Sequence, residues 1–100
     1  TGEHDDAEML ELLIKETELN MQLLDEAIKN NDKERLSAAI HHLLSSWELL
    51  GIDSSVKELQ CAVKKTDSMD GDVIKAFEQV ENVSVQLIEQ ARLQVKEDEP

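Results

Sequence analysis

Apolar residues recur at intervals of three and four along nearly the whole chain, the spacing that places them on one face of an α-helix. In residues 7–29 the series is Leu10, Leu13, Ile14, Met21, Leu24 and Ile28, with Asp5 and Glu8 placed as a helix cap and its partner. Thr17 interrupts this series and is a residue able to cap a second segment, so the stretch reads as one long helix or as two with a break near residue 17. The joint Asn30, Asn31, Asp32 follows, and Asn31 with Glu34 three residues on predicts the start of a second helix. At ~100° per residue, Leu36, Ile40, Leu43, Trp47 and Leu50 of that helix share one narrow stripe with Ala39 and Leu44 on its shoulders. Gly51 stops it, as glycine commonly does. Asp53, Ser54 and Ser55 are candidate caps for a third helix with the stripe Ile52, Val56, Leu59 and Val63. After the polar joint 66–71, a last helix of about residues 72–95 turns Val73, Phe77, Val80, Leu87 and Ala91 inward, before an acidic tail over 96–100. Short joints make successive helices antiparallel. The expectation is an all-α protein, an antiparallel up-down four-helix bundle in a single domain of residues 1–100. Its core spans about 7–95, and the ends, 1–5 and 96–100, read as frayed or tag-like.

Composition agrees with helices and narrows the surroundings. Hydrophobic residues make up 40% of the chain with only one Trp and one Phe, so the core is aliphatic. Three Gly and one Pro leave little turn chemistry for an all-β chain. A formal charge of -13 repels phosphate backbones and anionic lipid, which argues against a nucleic-acid or membrane-surface role and favours a protein partner with a basic or mixed face. Cys61 is the only cysteine, so neither an internal disulfide nor a cysteine-based zinc site is available. No apolar run approaches the ~20 residues that span a bilayer.

The chemistry concentrates in residues 40–51, IHHLLSSWELLG. His41 falls on the side of its helix away from the apolar stripe, with Glu34, Ser37, Ser45 and Glu48, and is expected to stand in water. His42 leans the other way, beside Arg35, Ser46 and Leu49. Adjacent helix positions diverge by ~100°, so the two rings cannot readily share one metal ion and no metal site is expected. Trp47 lies on the inward stripe and reads as core. Cys61 has no evident base, and the many carboxylates read as a solvated acidic surface.

This segment resembles the histidine-containing phosphotransfer domain, the four-helix module that relays phosphoryl groups in multistep two-component signalling. In that family the phosphorylated histidine is followed by x-Leu-Lys-Gly-Ser and, ten residues on, by the glycine of a Leu-Gly pair. Ten residues before Gly51 is His41, and Leu43, Ser46 and Leu50 also match. The resemblance covers roughly residues 7–95, its specific part running from His41 to Gly51. Leu44 stands where the family usually has Lys, Ser45 where it has Gly, Trp47 replaces a typically small residue, and Cys61 is out of register with a cysteine often seen on the next helix.

The resemblance implies that His41 accepts a phosphoryl group from a receiver-domain aspartate and passes it to another. It implies a carrier, not an enzyme, with Mg²⁺ and a lysine supplied by the receiver and no cofactor bound here. Ser37, Ala38, His42, Leu44, Ser45 and Glu48 form the expected surroundings of the phosphoryl group and the docking partner, Leu44 as an exposed apolar contact. Trp47 and Gly51 are expected to be structural. The expected partners are response-regulator receiver domains, in cis or in trans, docking on a monomeric, cytoplasmic module that belongs to a hybrid sensor histidine kinase. The alternative is a degenerate, non-phosphorylated bundle that only docks a receiver or another protein.

Overall fold

A computed structural model describes the backbone of residues 2–66 and 70–98 and the side chains of 8–66 and 70–96. Among the described residues the chain forms four helices and no strands: α1 (Gly2–Lys29), α2 (Lys33–Leu50), α3 (Ser54–Lys65) and α4 (Gly71–Asp98). Contacts join α1 to α2, α2 to α3, α3 to α4 and α4 back to α1, a closed ring around one core. The two outer helices have 28 residues each against 18 and 12 for the inner pair, so at ~1.5 Å per residue their ends outrun their neighbours. The molecule is accordingly elongated, 50 × 20 × 18 Å.

The core is aliphatic around a single indole. Leu24, Leu36, Ile40, Leu43, Val56, Leu59, Val73 and Val80 surround the centre with Trp47, all fully buried. α1 runs unbroken through residue 17, because Thr17 is itself a core position with 1% exposure. It fills the gap in the series Leu10, Ile14, Met21, Leu24, so leaving the helix there would split a continuous buried stripe. α4 repeats the device. Ser84 is buried in the series Val73, Phe77, Val80, Leu87, Ala91, its hydroxyl donating to the Glu81 carbonyl at 2.7 Å.

The joints explain where each helix stops. Asn31, expected to cap α2, instead closes α1 from a left-handed conformation (φ 53): its N–H donates to the Ile28 carbonyl and that of Asp32 to Ala27. Asparagine tolerates this conformation better than most residues. The cap of α2 is Asp32, whose carboxylate accepts from the Arg35 N–H at 3.1 Å. Asp53 occupies the N-cap position of α3 but makes no side-chain cap bond; its carboxylate pairs with Lys57 at 2.9 Å. Asp70 caps α4 through bonds from the Asp72 and Val73 N–H groups. Residues 67–69 of the expected polar joint lie outside the described residues.

Gly51 ends α2 with φ 71, and its N–H and that of Ile52 reach back to the Glu48 and Trp47 carbonyls. A Cβ added there would meet nothing within 4 Å. Gly51→Ala is therefore expected to destabilise through backbone strain alone, by about 1–2 kcal/mol. A urea midpoint unchanged from wild type would contradict this origin of the helix stop.

Candidate functional site

α2 presents its two faces as its periodicity requires. Leu36, Ala39, Ile40, Leu43 and Trp47 are buried, while Glu34, Ser37, Ala38, His41, His42, Ser45 and Glu48 are exposed. Leu50 is the exception on the stripe. It is 44% exposed, because the last residue of α2 lies at the rim where the chain turns away through Gly51.

His41 sits in the middle of this helix, flanked by short side chains. Ser37 lies one turn before it and Ser45 one turn after, with Ala38 beside them, so of its i±3 and i±4 neighbours on α2 only Leu44 is large. The rings of His41 and His42 are 6.4 Å apart at an interplanar angle of 64°, diverging as adjacent helix positions must. No hydrogen bond to a neighbouring helix holds His42 among the described residues. A neutral imidazole in water on a rigid helix offers a nucleophilic nitrogen without a built-in base.

Two of the expected neighbours behave differently. Leu44 is not an exposed contact: it is half-buried and packs against the core from the shoulder of the apolar stripe. The apolar side chain that α2 does present to solvent is Leu49, at 90% exposure. The Ser45 hydroxyl donates to the His41 carbonyl at 3.1 Å, so in this arrangement it serves the backbone.

Trp47 is fully buried, and its Nε1–H has no partner among the described residues. Glu48, two turns beyond His41 on α2, is exposed. Lys57 is raised above the ordinary lysine value by its hydrogen bond to Asp53, then by the charge of Asp53 and, last, of Glu48. The same bond holds the Asp53 carboxyl below its usual range.

An open groove of about 460 Å³ lies elsewhere, along Lys57, Cys61, Lys65, Thr66 and Asp72, and neither histidine lines it. Among the described residues no three His, Cys, Asp or Glu side chains are grouped so as to hold a metal ion, and no helix is long and apolar enough to cross a membrane. What fold and site define together is an all-helical bundle that carries an exposed histidine on the outer face of its second helix. Comparison with family models, curated proteins and solved structures finds no match to this chain.

Proposed function

We propose that the chain is a phosphocarrier of the histidine-containing phosphotransfer type, accepting a phosphoryl group on His41 from the aspartyl phosphate of a receiver domain and passing it to a second receiver. The observation that supports this best is the position of His41: exposed, opposite the buried stripe, between Ser37 and Ser45, and ten residues ahead of the left-handed Gly51. In the transfer the lone pair of a neutral imidazole nitrogen attacks phosphorus as the bond to the aspartate oxygen breaks. The carboxylate leaves, and the imidazole proton passes to solvent. Such a reaction needs in-line approach and charge neutralisation more than acid-base machinery. Mg²⁺ and a lysine belong to the receiver in this reading, and the carrier itself is not an enzyme.

The same reading includes the finer architecture and setting: an up-down antiparallel bundle, monomeric, working in the cytoplasm as part of a hybrid sensor kinase and docking receivers in cis or in trans. Leu49, not Leu44, is the apolar contact it offers a partner. The alternative, a helical module that docks a receiver without being phosphorylated, draws on Leu44 and Ser45 in place of the usual Lys and Gly. Incubation with a panel of phosphorylated receivers and Mg²⁺ separates the two. The carrier reading expects label to move onto the wild-type chain; binding without transfer across the panel would favour the docking module.

Leu44→Lys would restore a cation one turn from the acceptor. It is expected to lengthen the lifetime of the phosphorylated chain, at a stability cost of about 1–2 kcal/mol because part of Leu44 is packed against the core. An unchanged half-life would contradict the idea that a missing charge limits the lifetime.

A further inference from the structure

We propose that the outward face of α1 docks an amphipathic helix of a partner protein, one whose apolar row carries lysine or arginine at its centre and along its border. The face belongs to a single helix and makes no use of His41. α1 turns apolar residues in two directions. Thr17 and Leu24 belong to the fully buried row that faces the core, whereas Met9, Leu12, Leu19 and Leu23 are 43–68% exposed. At ~100° per residue these four side chains fall within an arc of about 80°, so they form one row along the helix and not scattered points.

The packing of α1 leaves this row open. α1 lies against α2 and α4, and Glu18, which accepts from Arg92 of α4 at 3.0 Å, marks the flank toward α4. Each of the four exposed side chains points ~100° or more away from Glu18.

Spacing and charge define the occupant. Positions 9, 12, 16, 19 and 23 make an unbroken three-four series, the seam that one helix offers another, and Glu16 fills its central place. Glu8, Glu26 and Lys15 lie exposed along one border, so the face is acidic on balance. A second copy of the chain is a poor occupant. Pairing this seam with itself over its full length, in either direction, sets Glu16 against Glu16, and each copy carries a formal charge of -13. A partner seam with a cation at the matching place neutralises Glu16 and still sets apolar side chains against the leucines. Residues 9–23 span ~21 Å, so such a partner needs about four helical turns.

A fluorescein-labelled helical peptide of leucine and lysine, about 18 residues long, with leucines at three-four spacing and a lysine at the central seam place, serves as the probe. A peptide of the same composition with its leucines spread evenly around the helix is the control. Fluorescence anisotropy is expected to show the ordered peptide binding equally to wild type and to Val85→Gln, a change at an exposed apolar site on α4. The double variant Leu12→Gln with Leu19→Gln is expected to bind it at least about tenfold more weakly. Glu16→Lys is expected to weaken binding about three- to tenfold at low salt, a difference that shrinks as salt is raised. These variants change exposed residues only, and circular dichroism verifies that they stay folded. Equal binding of the two peptides to wild type, or of the ordered peptide to wild type and the double variant, would overturn the proposal. So would sedimentation of wild type as a dimer that the double variant splits, which would give the face to a second copy.

Discussion

Replacing His41 by glutamine is expected to abolish uptake of label from a phosphorylated receiver, whereas His42→Gln keeps most of it. Glutamine is polar, helix-compatible and of similar bulk, but its amide nitrogen has no available lone pair to attack phosphorus. Both histidines are exposed, so neither substitution should change stability by more than ~0.5 kcal/mol, and loss of transfer cannot be assigned to unfolding. The two positions diverge by ~100° around α2. A receiver aligned for in-line attack by one ring is therefore misaligned for the other, and the partners of transfer cannot simply switch. The opposite result, transfer surviving in His41→Gln and lost in His42→Gln, would move the acceptor to the face that His42 shares with Leu49.

Truncating Trp47 to alanine is expected to produce the largest loss of stability available from a single side chain here, about 3–5 kcal/mol. The indole is fully buried among the aliphatic residues of all four helices, and no other large side chain is at hand to fill the space. A domain of this size has only about 5–15 kcal/mol to lose, so the melting temperature should fall by more than about 10 °C. Trp47→Phe should cost much less. It keeps most of the ring volume and also removes an indole N–H that is buried without a partner among the described residues, a group whose desolvation carries about 1–3 kcal/mol. Thermal unfolding followed by circular dichroism checks the order; a phenylalanine variant as unstable as the alanine one would mean that the N–H has a partner after all. Transfer to His41, on the opposite face of α2, should decline only as the folded fraction does.

Much of this organisation is legible in the sequence because a helix repeats its burial pattern. The series Leu36, Ile40, Leu43, Trp47 alone implies that His41 faces water, and in the structure it does. Polarity misleads where a short hydroxyl side chain takes a core position. Thr17 resembles a break and Ser84 carries no sign of burial in its polarity, yet each completes the buried stripe of its helix. Ends of helices mislead in a different way. Leu50 continues the apolar period but runs out of neighbours at the turn, and Asn31 resembles a helix start while ending the helix before it. Leu44 shows the limit of counting along one helix, because whether a shoulder position is covered depends on how close the next helix comes. The offset of α3 against α2 belongs wholly to tertiary packing.

The central claim concerns one atom, a ring nitrogen of His41, and locating the phosphoryl group tests it most directly. After transfer from a phosphorylated receiver with Mg²⁺, cleavage at Arg35 and Lys57 releases one peptide that carries both histidines. Fragmentation under neutral conditions that preserve phosphohistidine then distinguishes them. The phosphoryl group is expected on His41 and not on its neighbour. Label found on His42, or no label on this peptide from any receiver, would contradict the account.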